Sequence, residues 1–216
     1  MTNKKWCITF IFLFLVIIVL SLYTVLAFPP KLSGVHKTTN DVQWFSDASV
    51  VRDGRSTLVR HDDSISMHLH TSELESGTAV TIWWVIFNNP EKCTHPEGPF
   101  RCGPNDLQIK GGNRNVGSSV LYAAGHAIGT SGRSGFGATL DKGITEGALF
   151  GPGLTNPHRA DVHLVVRSHG PLIHGLTREM TRTFGAGCNN APPGTGTPGS
   201  NTCRDLQFSV HESSAL

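Results

Sequence analysis

Histidine is the residue type with the widest chemical range in this chain: there are 11 in 216 residues, all beyond position 35. His68 and His70 stand two apart in Ser64-Ile-Ser-Met-His-Leu-His-Thr, where Ile65, Met67 and Leu69 alternate with Ser66, His68 and His70. Such alternation marks a half-buried strand, with every second side chain on one face. Two imidazoles on one strand face, roughly 7 Å apart, can share a metal ion with ligands from a neighbouring strand. His163, within Asp161 to Arg167, and His169, in Arg167-Ser-His-Gly-Pro, form the second pair. His68, His70, His163 and His169 are therefore the candidate ligands for copper or zinc, and His126, at the end of a further strand, is an additional one. The competing reading leaves them solvated on polar strand faces or bonded to loop carbonyls, with no cofactor. His36, His61, His95 and His158 lie in loop-like sequence.

Other chemistries are less well marked. Asp161, His163 and Ser168 contain the residue types of a hydrolytic triad, but no serine sits in a G-x-S-x-G elbow. Gly129-Thr-Ser-Gly-Arg-Ser-Gly lacks the second glycine at the right offset and is not followed by G-K-[ST], so it reads as a surface loop. Neither H-E-x-x-H nor a strand-to-helix G-x-G-x-x-G is present. Trp83 and Trp84 would point to opposite faces of a strand, one into the core and one toward a groove suited to carbohydrate stacking, or both into packed interiors. These patterns favour binding over catalysis.

The elements that must position these residues are strands. Ala79-Val-Thr-Ile-Trp-Trp-Val-Ile-Phe is almost continuously apolar and reads as a central strand buried on both faces. It follows the 64–71 strand after a Glu75-Ser-Gly turn, so the two are expected to pair as an antiparallel hairpin. Further strands are expected at 118–127, 137–140, 161–167 and 206–211, and a short helix within 175–184. Short strands and frequent glycine and proline predict an all-β fold: a β-sandwich, with a closed β-barrel as the alternative, following an N-terminal apolar helix. Residues 1–28 read as a signal peptide or membrane anchor, 29–41 as a linker and 42–216 as a disulfide-stapled β domain.

The leader sets the expected compartment. Lys4 and Lys5 precede an apolar run from Trp6 to Phe28, long enough to span a bilayer core. Val25 and Ala27 also suit a cleavage site, so the segment is either removed after about Ala27 or retained as an anchor. Without the two lysines of this segment, 16 basic and 16 acidic residues remain. That neutral balance gives no long-range attraction to nucleic acid. Beyond Cys7 the cysteines are Cys93, Cys102, Cys188 and Cys203. Four cysteines allow three connectivities, and the Pro- and Gly-rich stretches between neighbours favour the local pairs Cys93–Cys102 and Cys188–Cys203. Their spacings lack the tight C-x2-C knuckles of zinc sites.

Three passages together resemble a group of exported bacterial proteins of unknown function: 64–74 with 80–90, 149–157 with 162–171, and 205–211. The resemblance spans about residues 43–211 and implies no activity or binding residue. The H-x-H strand is also similar in architecture to copper/zinc superoxide dismutases, whose full ligand pattern is absent. The expected protein is periplasmic, extracellular or anchored outside the cytoplasm. It binds an unknown ligand or serves as an envelope or extracellular structural component, without catalysis; the alternative is a copper- or zinc-binding β-sandwich. An unknown protein or envelope partner is expected, no nucleic acid, and membrane contact only through an uncleaved leader.

Overall fold

A computed structural model describes residues 34–214. The expected leader, the apolar helix predicted for it and the first part of the expected linker lie outside the described residues. Nine strands follow: β1 (His36–Trp44), β2 (Val50–Arg60), β3 (Ser64–Thr71), β4 (Thr78–Phe87), β5 (Ser118–Ala127), β6 (Ser134–Asp141), β7 (Ala148–Phe150), β8 (Asp161–Pro171) and β9 (Arg204–His211). One helical turn, α1 (Thr177–Met180), falls inside the stretch where a helix is expected. Among the described residues no helix is long and apolar enough to cross a membrane.

The strands form one antiparallel sheet in the order β6-β3-β2-β1-β9-β8-β4-β5-β7. β1 pairs with β2 over most of its length, but reaches β9 only through Gln43–Phe208 and Trp44–Gln207. The sheet turns there, so the half β6-β3-β2-β1 faces the half β9-β8-β4-β5-β7 across a common core. Leu58, Ile65, Met67 and Leu69 of the first half pack in one cluster with Ile82, Trp84, Val162 and Leu164 of the second. The all-β class is as expected. Its form is a single curled sheet, a half-barrel, with the facing layers of a sandwich and the continuity of a barrel.

Pattern decides position. β3 buries Ile65, Met67 and Leu69 and exposes His68 and His70, as its alternation requires. β4 is buried on both faces because its inner side meets the common core while its outer side is covered by two inserts. β3 and β4 do not form the expected hairpin: β3 pairs with β2 and β6, β4 with β5 and β8. The intervening residues cross from one half of the sheet to the other, where a doubly apolar strand can be covered on both sides. The stretch 29–41 is not all linker either, since β1 starts at His36. Its polarity has a structural cause. Thr38 and Asn40 turn toward His211 and the Val210 carbonyl on β9 instead of toward an apolar core.

Both inserts are stapled as expected. Residues 88–117, between β4 and β5, carry the Cys93–Cys102 disulfide, and residues 172–203, between β8 and β9, carry Cys188–Cys203. Two disulfides point to an oxidising, non-cytoplasmic environment. The first insert packs Cys102 and Val116 on Phe87; the second packs Met180 and Ala186 on Ala79. Gly125 on β5 admits the second insert, because any Cβ there would collide with the Thr181 carbonyl.

Candidate functional site

The structure does not gather the four expected metal ligands. His68 and His70 are exposed on β3, opposite Gly137 and Gly135 of β6. His163 and His169 belong to β8 in the other half of the sheet. His163 lies between the rings of Phe87 and Phe100, and burial pushes its pKa down to about 4. His169 is fully buried under the second insert. Among the described residues, the groups of three donors close enough for one ion are His169 with Cys188 and Cys203, and Asp106 with Cys93 and Cys102. Each contains a disulfide, whose sulfurs are not the thiolates that bind metal.

Two buried histidines, His169 and His211, are wired instead as structural relays. The Trp83 indole N–H donates to Thr81 Oγ1 at 2.8 Å, Thr81 Oγ1 meets His169 Nε2 at 3.0 Å, and His169 Nδ1 meets the Ala186 carbonyl at 2.9 Å. The carbonyl can only accept, so the imidazole carries a proton on Nδ1, and in the neutral ring Nε2 accepts from the Thr81 hydroxyl. Burial first, and the Arg167 charge after it, lower its pKa. His211 on β9 completes a second relay. Its Nε2 lies 2.7 Å from Ser56 Oγ and its Nδ1 2.7 Å from Thr38 Oγ1. Ser56 Oγ is 2.6 Å from Ser209 Oγ, which donates to the Asp41 carbonyl at 2.8 Å. Burial, then the nearby Arg60 charge, pushes the His211 pKa down to about 3. Gln207, Ser209 and His211 thus turn the polar side of β9 inward, where they bond to polar groups of β1, β2 and β3 and, through Gln207, to the Ser72 carbonyl just beyond β3.

Nor do Asp161, His163 and Ser168 assemble into a triad, as their sequence context already argued. Asp161 is fully buried and held by Arg101 at 2.8 and 3.1 Å and by the Ser213 N–H at 2.7 Å. Ser168 lies five residues from His163 along β8, about 16 Å at strand spacing. Trp83 is not available for stacking on a sugar. It is buried between Tyr122 and Phe184, while Trp84 fills the common core.

What the structure does assemble is an open cleft of about 320 Å³ lined by Asp53, His70, Thr71, Ser72, Arg133, Ser134 and Gly135. Three elements build it. The pairing of β1 with β2 slips between Asp41 and Gln43, and within the slipped stretch of β2 Asp53 takes a left-handed backbone, φ 57°. Bulges of this kind re-aim side chains, and here Asp53 meets the Arg133 guanidinium at 2.8 Å. Glu73, beside the cleft, is also left-handed at φ 61°, an uncommon conformation for a non-glycine residue and one concentrated at functional sites. β3 supplies His70, whose ring lies over Gly135; a Cβ there would sit 3.0 Å from Nδ1. Thr71 is tied to Gln207 and Ser72 to the Arg52 carbonyl, which fixes the floor.

At the rim, His126 bonds to Ser134 through Nε2 and stacks flat on Phe136, with ring centres 4.4 Å apart. Burial lowers its pKa. No carboxylate bonds to this imidazole among the described residues, so the third member of a catalytic triad is missing.

Sequence reasoning recognised His70 and His126 but not their neighbours. Asp53 and Arg133 are brought together from positions 80 residues apart. The loop Gly129-Thr-Ser-Gly-Arg-Ser-Gly, read as plain surface, turns out to be a wall of the cleft. The cue was its density of glycine and hydroxyl residues just before a strand opposite an H-x-H strand. In comparisons with protein-family models, with curated proteins and with solved structures, this chain finds no match.

Proposed function

We propose that the protein is exported by its apolar leader and acts without catalysis, as a binding module that takes a small, neutral, hydroxyl-rich solute such as a saccharide. One observation carries this reading: the cleft collects hydrogen-bond donors and acceptors from three separate elements and balances its own charge through Asp53 and Arg133. A self-neutralised lining suits a neutral ligand over an ion. Its hydroxyls, carboxylate and guanidinium can meet a ligand that both donates and accepts. Its volume falls at the small end of typical pockets, about 300–1,000 Å³. Export is supported by Lys4 and Lys5 ahead of the apolar run and by the two disulfides beyond it.

The test is saturation-transfer NMR on the purified protein with a panel of mono- and disaccharides. At least one is expected to receive saturation on its ring protons. Arg133→Ala is expected to weaken that binding about tenfold or more, the scale of one lost charge-assisted hydrogen bond. His68→Ala, outside the cleft, should leave it unchanged. Absence of transfer across the panel, or transfer indifferent to Arg133→Ala, overturns the reading.

A further inference from the structure

Three histidine-bearing or acidic segments that look like unrelated loops in the sequence meet at the far end of β2. The register pairs His36 with Arg60, so both side chains lie on the same side of the sheet. Arg60 bonds to the carbonyls of Pro157 at 2.6 Å and Ala160 at 2.7 Å, which draws the chain around His158 against the start of β1. His158 thereby comes beside His36, with ring centres 5.4 Å apart and planes at 81°. Asp62, from the β2–β3 turn, approaches His158 Nε2 at 3.0 Å.

We propose that His158 and His36 bind one borderline transition-metal ion, zinc or copper(II), with Asp62 as the orienting carboxylate. The imidazole of His158 is only 7% exposed. Its Nε2 faces a carboxylate, which takes the N–H of the neutral ring and leaves the lone pair on Nδ1. That Nδ1 is buried and has no hydrogen-bond partner. A buried acceptor without a partner is unfavourable unless something satisfies it. An imidazole with one nitrogen on a carboxylate and the other holding an unused lone pair is the orienting half of a carboxylate–histidine–metal arrangement.

The ring separation fits the same reading. Zinc–nitrogen bonds are about 2.0–2.1 Å, and an imidazole nitrogen lies about 1.1 Å from its ring centre. Two rings on one ion are then roughly 5.2 Å apart at a tetrahedral angle and about 6.3 Å apart when opposed. The 5.4 Å observed falls in that interval, near its tetrahedral end. His36 is exposed, so its ring is free to turn onto the ion and the remaining coordination positions open to water. The Arg60 charge is already engaged by three carbonyl oxygens, those of Pro157, Ala160 and His211. Asp53 of the cleft lies seven residues from Arg60 along β2, about 23 Å at strand spacing, so this site is independent of the saccharide reading.

The experiment is zinc titration of the purified protein by calorimetry near neutral pH, followed by electron paramagnetic resonance with copper(II). One equivalent of zinc is expected to bind. His36→Ala should weaken it at least tenfold, and Asp62→Asn about 10–100-fold, the usual loss when an orienting carboxylate is removed. Copper should show coupling to two imidazole nitrogens, falling to one in His36→Ala. Because His158 is buried and its replacement can unfold the chain, the exposed His36 is the decisive variant. The His68→Ala/His70→Ala double variant should bind zinc as the parent does. Absence of saturable zinc binding, binding indifferent to His36→Ala, or binding lost with His68 and His70 overturns the proposal.

Discussion

His169 of β8 and Ala186 of the second insert are joined by a 2.9 Å hydrogen bond from the imidazole Nδ1 to a backbone oxygen. The insert is thereby hung from the sheet by a side chain that also receives the Thr81 hydroxyl. Replacing His169 with Phe leaves the Thr81 proton and the Ala186 carbonyl without partners inside the protein. The expected cost is about 2–4 kcal/mol, from two lost buried hydrogen bonds. Urea denaturation measures it, and limited proteolysis should show new cleavage within residues 172–203. A His169→Phe variant as stable as the parent would remove the structural role assigned to the relay.

Acid should destabilise the fold through its buried histidines. His211 and His163 have folded pKa values pushed down by burial to about 3 and about 4, from an ordinary 6.5. Below about pH 6.5 the unfolded chain takes up protons that the folded chain refuses, so stability is greatest above that pH and falls as pH drops. The loss continues until the folded protein itself titrates near pH 4 and then pH 3, and each group contributes at most about 1.4 kcal/mol per pH unit. Denaturant midpoints measured at about pH 7 and about pH 5 should show the decline, and His211→Gln should flatten it. Equal midpoints for the parent at both pH values contradict this account.

Arg101 and Asp161 lock the first insert to the head of β8. The carboxylate is fully buried; burial raises its pKa while the Arg101 hydrogen bonds pull it back down. Arg101→Ala strands that carboxylate and is expected to cost about 3 kcal/mol. Adding Asp161→Asn should recover part of the loss, because the charge left alone is removed. A double variant no more stable than Arg101→Ala alone would show that the pair is not coupled in this way.

Much of this architecture was legible beforehand. The bounds of β3 and β5 coincide with the expected strands because their alternation, or their unbroken apolar run, is local. The two disulfides followed from local Pro- and Gly-rich spacing. β1 and β2 escaped notice because their side chains serve a polar seam: Thr38 and Ser56 satisfy His211 where an apolar residue would have left a strand signature. The cleft was hidden for a different reason. Asp53 reaches it through a register slip in β2, and Arg133 through a loop, and neither event leaves a periodic trace. His36 and His158 were passed over as loop residues because their proximity depends on the curl that lets Arg60 bind the carbonyls of Pro157 and Ala160.

The Cys188–Cys203 bridge closes a longer loop than Cys93–Cys102, with separations of 15 and 9. Chain-entropy reasoning assigns the longer bridge about 3 kcal/mol. Cys188→Ser/Cys203→Ser should therefore lower the urea midpoint, and a reductant should lower the parent's melting temperature. A melting temperature indifferent to reductant would separate the disulfides from stability.

The most direct measurement of the central claim is a backbone amide NMR titration of the purified protein with the saccharide that gives the strongest saturation transfer. The expected shifts are confined to Asp53, His70, Ser72 and residues 133–135, and they should saturate with one ligand per chain. Shifts that instead map to the covered outer face of β4 and β8, or that scatter without saturating, would contradict a built site between the β2 bulge and the β5–β6 loop.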